Sequence, residues 1–123
     1  MNRHALIVED SRTQAMRLQL ELQRCGLNVS IATTGTQGMA AAHTTVPDVI
    51  ILDVDLPELD GYTLCRALKA NPTTAHIPIV MLTHRDDARD TRSGLEAGAE
   101  DYIPKDTFAE QNVLESLRLL GIL

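Results

Sequence analysis

Three carboxylates stand at the ends of short apolar runs and could together bind a divalent metal ion. Glu9 and Asp10 directly follow the run of residues 4–8, and Asp53 closes the run of residues 49–53. Carboxylates clustered in one crevice repel one another unless a cation neutralises them. Oxygen ligands suit Mg²⁺ (or Mn²⁺), and no cysteine or histidine joins the three acids, which argues against zinc.

A hydroxyl and an ammonium group stand at two further run ends and could contact a phosphoryl group. Thr83 closes a later apolar run, and Lys105 stands just beyond another. A metal and an ammonium group balance phosphate charge, and a hydroxyl donates a hydrogen bond; phosphoryl transfer needs mainly such positioning and electrostatics. Because a carboxylate can itself accept the group as an aspartyl phosphate, the residue types indicate phosphoryl chemistry.

The elements that must position these groups alternate between strand and helix patterns. Ser11 and Gln14 form a candidate capping box for the first helix, and Gly26 suits the position after its end. Asp106 or Thr107 is the candidate cap of the last helix. The pattern predicts strands over residues 4–8, 29–32, 49–53, 77–83 and 101–103. It predicts helices over residues 11–25, 36–43, 62–70 and 86–97, followed by the last helix.

Five strand–helix repeats predict right-handed crossovers and a parallel sheet with helices on both faces. In such a sheet, sites form beyond the carboxyl ends of the strands, where the strand order reverses. The five polar residues of the site all occupy that predicted edge. Four of them also have a purely structural explanation: Asp10 as a helix cap, Asp53 as a solvated strand end, Thr83 as strand filler and Lys105 as a surface lysine. Their shared edge favours a site.

Composition narrows the class of protein. A chain of 123 residues fits one domain, here residues 1–123, and 44% hydrophobic residues are ordinary for a globular protein. The net charge of −6 and the lack of a Lys/Arg cluster argue against direct nucleic-acid binding. No apolar run reaches the roughly 20 residues that span a bilayer, and no signal peptide is visible. We expect a cytoplasmic protein, with Cys25 and Cys65 as small buried apolar residues.

Five blocks of sequence resemble the receiver (CheY-like) domains of two-component response regulators. The resemblance covers essentially the whole chain. It implies a flavodoxin-like, doubly wound α/β fold with a five-stranded parallel sheet in the order 2-1-3-4-5 and five helices. The blocks are ALIVEDS (5–11), DVIILD (48–53), LPELDGY (56–62), IPIVMLT (77–83) and GAEDYIPK (98–105).

The resemblance implies how phosphorylation is organised. Asp53 would be the phosphoacceptor and, with Asp10, a direct ligand of Mg²⁺ or Mn²⁺. Asp55 would bind the metal through its backbone carbonyl, and Glu9 would act through water.

The resemblance also implies a switch. Thr83 would supply the hydroxyl that moves toward the phosphoryl group, and Lys105 would pair with that group. Tyr102 would be the coupled aromatic that turns inward. The surface made by the fourth helix, fifth strand and fifth helix would change as a result.

Three departures from the family pattern stand near the site. Asp106 follows Lys105 where proline is usual, so the isomer of that peptide bond is open. His84 replaces a small residue and could crowd the phosphodonor or respond to pH. Arg85 could face Asp55 across the site and tune the lifetime of the phosphoryl group.

The implied partners are a histidine kinase or histidine phosphotransfer protein as donor and a downstream protein target or output domain. A homodimer is a further possibility, and the chain would assist its own phosphorylation without being a conventional enzyme. A degenerate receiver that only binds proteins is the first alternative. A haloacid-dehalogenase-like phosphatase, suggested by Asp53-Val54-Asp55, would turn over phosphate esters, and a flavodoxin-like cofactor binder would need a different first loop.

Overall fold

The computed structural model describes residues 2–84 and 88–123, and for 88–91 it describes only the backbone. Five strands and five helices alternate along this part of the chain, as the hydrophobic pattern predicts. The strands are β1 (His4–Val8), β2 (Asn28–Ala32), β3 (Val49–Asp53), β4 (Ile79–Thr83) and β5 (Asp101–Pro104). The helices are α1 (Arg12–Arg24), α2 (Gly35–Thr45), α3 (Gly61–Ala70), α4 (Ala88–Glu96) and α5 (Ala109–Leu119).

The five strands form one parallel sheet in the order β2-β1-β3-β4-β5, which confirms the predicted fold. β3 lies between β1 and β4, with Val8 opposite Leu52 and Asp53 opposite Leu82. All five residues of β3 are buried, because helices cover both faces of the sheet.

Alternate strand residues enter two separate hydrophobic cores. Leu6 and Leu52 face the core that α2 and α3 cover, whereas Ile7 and Ile51 face the core that α1 and α5 cover. This period of two follows from the pleat of a strand. It leaves the strand ends as the place where polar side chains can gather.

The ends of α1 agree with the sequence in part. The Ser11 hydroxyl accepts a hydrogen bond from the Gln14 amide at 3.3 Å, and Gly26 follows the helix with a φ of +90°. The Gln14 side chain, however, points to Lys105 instead of closing the capping box. Only half of the predicted box is therefore formed.

The starts of α5 and β4 differ from the sequence expectations. α5 is capped at Phe108 without a side-chain bond, because the Asp106 carboxylate accepts the Phe108 amide within the preceding turn. β4 begins at Ile79 and not at Ile77, since Pro78 has no amide hydrogen and the Ile77 amide donates to the Thr74 carbonyl.

Cys25 was expected to be buried, but it is exposed at the end of α1, whereas Cys65 is buried. The predicted start of the fourth helix, at residues 86–87, lies outside the described residues. None of the described helices combines the length and apolar character that crossing a bilayer requires.

Candidate phosphoryl and metal site

The carboxyl ends of β1 and β3 bring three acidic side chains together. One carboxylate oxygen from each of Glu9, Asp10 and Asp53 lies within 4.8 Å of the others. Glu9 and Asp53 are only 3% and 2% exposed, whereas Asp10 is open to solvent. The in-register pairing of β1 with β3 produces this cluster, since both strands end at the same level.

Lys105 enters the same cluster from the end of β5. Its Nζ lies 2.5 Å from Glu9 Oε1 and 3.0 Å from Asp53 Oδ2, and its side chain is only 8% exposed. A third contact, 2.9 Å to Gln14 Oε1, was not predicted, because Gln14 was interpreted as a capping residue. The Lys105 amide donates to the Thr83 carbonyl at 2.7 Å, which fixes the backbone that carries the ammonium group.

Burial and pairing act in opposite directions on the charges of this cluster. Burial raises the pKa of Glu9 to about 7, although hydrogen bonds from Lys105 and the Ser11 amide favour its ionised form. Burial alone would lower the pKa of Lys105, but its hydrogen bonds with Glu9 and Asp53 outweigh that effect and raise the pKa. Lys105 therefore stays a cation at neutral pH.

The loop after β3 holds the Asp53 carboxylate from the other side. The Asp55 amide donates to Asp53 Oδ1 at 3.1 Å, and the Gly61 amide donates to the Val54 carbonyl at 2.8 Å. A Cβ at Gly61 would lie 2.4 Å from the Asp53 carbonyl oxygen, so only glycine lets α3 begin this close to the end of β3. The Asp55 amide thus orients the Asp53 carboxylate from the side of this loop, opposite the Lys105 ammonium.

The donor set fits a hard divalent cation. All three clustered side chains offer oxygen, and Asp10 leaves the cluster open to water. If every group is ionised, three carboxylates and the Lys105 ammonium leave two negative charges (−3 + 1 = −2). A cation such as Mg²⁺ would cancel that remainder.

The two residues predicted to transmit a switch lie on β4 and β5. Thr83 is fully buried at the end of β4, level with Pro104 of β5. Tyr102 lies opposite Met81, packs partly buried against the core, and its hydroxyl is 3.0 Å from that of Tyr62. Tyr62 carried no signal in the sequence that distinguished it from an ordinary first-turn residue of a helix.

The three departures in the sequence have different outcomes. The Lys105–Asp106 peptide bond is trans. His84 is exposed and lines a cavity of about 390 Å³, together with Gln14 and Lys105. Arg85, and with it the predicted pairing to Asp55, lies outside the described residues.

Comparison with known proteins returns one family. Residues 5–118 match the family model of the response regulator receiver domain. The response regulator PleD of Caulobacter vibrioides is 41% identical over 105 residues, which make up 85% of this chain and 23% of that protein. The first relatives matched are longer proteins, of which the chain spans between 23% and 49%.

Solved receiver structures share the fold over nearly the whole chain. The signal receiver domain of a histidine kinase from Syntrophus aciditrophicus is 40% identical, with a TM-score of 0.86 over 97% of this chain and 90% of that one. The receiver domain of sensor histidine kinase PA1611 from Pseudomonas aeruginosa PAO1 is 29% identical, with a TM-score of 0.87 over 98% and 99%. That second structure holds a magnesium ion coordinated in its active-site cleft.

Proposed function

This chain belongs to the family of response regulator receiver domains, and from that premise we propose that it accepts a phosphoryl group on Asp53. One observation carries the proposal. Asp53 lies in a cluster with Glu9 and Asp10, and its Oδ2 is 3.0 Å from the Lys105 ammonium. An acceptor carboxylate needs both a place for a metal and a fixed cation for the incoming phosphate oxygens, and Asp53 has both within reach.

The metal would be held by Asp10 and Asp53 directly, by the backbone carbonyl of Asp55, and by Glu9 through water. Mg²⁺ bound there (or Mn²⁺) would neutralise phosphate oxygens and orient them for in-line attack. The magnesium ion in the related PA1611 receiver supports this assignment. Lys105 contacts both Glu9 and Asp53. When its ammonium group bonds to a phosphoryl oxygen, it would therefore keep a carboxylate partner and its positive charge.

The transfer itself is a displacement at phosphorus. One Asp53 carboxylate oxygen forms the new O–P bond while the P–N bond to the donor histidine breaks. The electron pair of that bond stays on the imidazole nitrogen, and the ring leaves as a neutral imidazole that carries its proton on the other nitrogen. The donor is a histidine kinase or histidine phosphotransfer protein, and the chain contributes positioning and charge rather than repeated turnover.

Thr83 and Tyr102 transmit the effect of phosphorylation from Asp53 to the surface of the domain. A phosphoryl group on Asp53 would add acceptors for the Thr83 hydroxyl at the end of the neighbouring strand β4, and Tyr102 lies opposite Met81, two residues before Thr83. Movement of these side chains alters the surface of α4, β5 and α5, where a downstream protein target or output domain binds. We place this signalling in the cytoplasm, where histidine kinases present their phosphorylated domains.

Phosphotransfer from purified histidine kinases tests the proposal. Wild-type chain should take label from a cognate kinase in the presence of Mg²⁺, and Asp53→Ala should take none. Asp106→Ala is the matched control, because it removes an aspartate beside Lys105 that lies outside the acidic cluster. Labelling of Asp53→Ala at the wild-type level would remove Asp53 from its role.

The same assay separates the alternatives. A chain that binds proteins without phosphorylation would stay unlabelled by every kinase and by acetyl phosphate. A phosphatase of the haloacid-dehalogenase type would release phosphate from small esters at a steady rate. The order of the strands disfavours that second reading, since Asp53 ends the third strand and not the first.

A further inference from the structure

Tyr62 and Tyr102 meet through their hydroxyl groups where α3, α4 and β5 come together. The two oxygens are 3.0 Å apart, and either can be the donor. Both rings pack, partly buried, against the core between the sheet and helices α2 and α3. This contact joins the start of α3 to the centre of β5 across 40 residues of sequence.

A glycine in α4 makes room for the Tyr102 ring. A Cβ at Gly94 would lie 2.4 Å from Cδ2 and 2.8 Å from Cε2 of Tyr102. It would also lie 3.4 Å from Met81 Sδ, so the ring lies against α4 beside Met81, its partner on β4. Glycine inside a helix costs about 1 kcal/mol relative to alanine, and here that cost permits the ring to lie against the helix.

Two separate paths connect this ring with the acceptor. One runs through the sheet, where Tyr102 pairs with Met81, two residues before Thr83 on the same face of β4. The other runs through α3, where Tyr62 directly follows Gly61, whose backbone packs against the Asp53 carbonyl. The hydrogen bond between the Tyr62 and Tyr102 hydroxyl groups connects this second path to the Tyr102 ring.

We propose that Tyr62 is a positioning residue whose hydroxyl holds the Tyr102 ring against Gly94 before any phosphoryl group is present. The inference rests on the proposed function in one respect, namely that Tyr102 responds to phosphorylation of Asp53. With Tyr62 in place, the ring already lies against α4 beside Met81 in most molecules, and phosphorylation of Asp53 shifts the remaining molecules to the same placement. Without the Tyr62 hydroxyl, the position of the ring depends on the state of Asp53 alone.

Ring-selective NMR of the unphosphorylated protein tests the placement directly. The chain has two tyrosines and no tryptophan, so Tyr62→Phe leaves a single tyrosine ring signal, that of Tyr102. In wild type, a soluble gadolinium chelate should broaden the Tyr102 signal weakly. In Tyr62→Phe the broadening should rise roughly threefold or more, the population change that loss of one hydrogen bond produces. Unchanged broadening would overturn the proposal.

Two further variants guard against a misleading result. Tyr102→Phe removes the other hydroxyl and should expose the Tyr62 ring in the same assay. A Tyr62 ring that stays as protected as in wild type would contradict the proposed hydrogen bond between the two hydroxyl groups. Gly94→Ala fills the space that the ring occupies and should expose Tyr102 even with Tyr62 intact. If Tyr102 stays protected in Gly94→Ala, the ring does not depend on the space beside Gly94 and the proposal fails.

Beryllofluoride with Mg²⁺ then separates this inference from the proposed function. Its binding is read independently from the backbone amide signals of Asp53 and Asp55. If those signals do not move in wild type, the proposed acceptor role fails while the placement result stands. If they move in Tyr62→Phe, the Tyr102 ring should regain its protection, and a ring that stays exposed in the bound state would overturn the link between Asp53 and Tyr102.

Discussion

Glu58, in the loop between β3 and α3, adopts a backbone conformation that costs free energy. Its φ is +70°, in the left-handed region where a Cβ crowds the following carbonyl. The side chain is exposed, so contacts do not evidently offset this strain. The neighbouring Leu59 amide bonds to the Pro57 carbonyl at 2.8 Å, which ties the loop into this tight turn.

Glu58→Gly should raise the free energy of unfolding by about 0.5 to 1 kcal/mol, because glycine adopts positive φ without the Cβ penalty. Urea denaturation followed by circular dichroism measures the change. The matched control is Glu115→Gly, in the exposed part of α5, which should lower stability by about 1 kcal/mol. A loss of stability in Glu58→Gly would show that the backbone is not strained there.

At the scale of single residues, the sequence predicted which charged groups meet at the edge of the sheet. It missed side-chain contacts that depend on how distant elements pack. Asp53 and Lys105 stand at strand ends, where a charge has few structural explanations. Gln14 and Tyr62 are ordinary helix residues by type and spacing. Their contacts, Gln14 with Lys105 and Tyr62 with Tyr102, join elements far apart in sequence, so no local pattern could indicate them.

The start of α3 is tied to the loop after β3 by the Gly61–Val54 hydrogen bond, and the cap of α3 carries a titratable group. Asp60 accepts from the Thr63 amide at 3.0 Å and from the Thr63 hydroxyl at 2.9 Å. Partial burial alone would raise the pKa of Asp60, but these hydrogen bonds outweigh it and lower the pKa from its ordinary value. A lowered pKa means that the ionised form stabilises the fold, so this stability is present above about pH 4 and lost as pH falls through the lowered pKa.

Replacing the cap should therefore have an effect that depends on pH. Asp60→Ala should cost about 1 kcal/mol at pH 7, because one helix donor loses its acceptor. The stability difference between wild type and Asp60→Asn should shrink as pH falls below about 4, since asparagine has no proton to gain. Urea denaturation at a series of pH values measures both. A difference that grows on acidification would mean that the Asp60 pKa is raised by folding.

At the scale of elements, buried strands were predicted best and helix ends least well. The bounds of β3 were predicted residue for residue, because four consecutive large apolar residues between turn signals indicate a strand buried on both faces. α5 starts later than expected, since Asp106 bonds to its own turn two residues ahead. Whether an aspartate caps a helix or a turn depends on loop geometry that spacing alone does not determine.

The whole molecule concentrates negative charge at one edge of its sheet. The chain carries a net charge of −6, and the Glu9, Asp10 and Asp53 cluster lies at that edge with one ammonium group. The repulsion among these three carboxylates lowers the stability of the fold, and a bound cation should relieve it. Binding a cation only to the folded state also stabilises the molecule as a whole.

Mg²⁺ should therefore raise the thermal midpoint of wild type by about 3 to 6 °C at ten times its dissociation constant, and a chelator should reverse the rise. Asp10→Asn should melt higher than wild type without Mg²⁺ and lose most of the Mg²⁺-dependent rise. Asp106→Asn should keep that rise, because its carboxylate is outside the cluster. An equal Mg²⁺ effect in Asp10→Asn would place the metal elsewhere.

The order of the sheet was predicted from resemblance, whereas the convergence of the site followed from the strand–helix alternation itself. Parallel strands joined by right-handed crossovers must end at one edge. The distances within the site needed the structure, because they depend on register and on how Lys105 is held by three oxygens.

Intact-mass spectrometry after incubation with acetyl phosphate and Mg²⁺ tests the central claim most directly. Wild type should gain the mass of one phosphoryl group, and the gain should disappear when a chelator is present. Asp53→Asn should gain nothing, while Asp106→Asn should behave as wild type. A phosphoryl adduct on Asp53→Asn equal to that on wild type would contradict Asp53 as the acceptor.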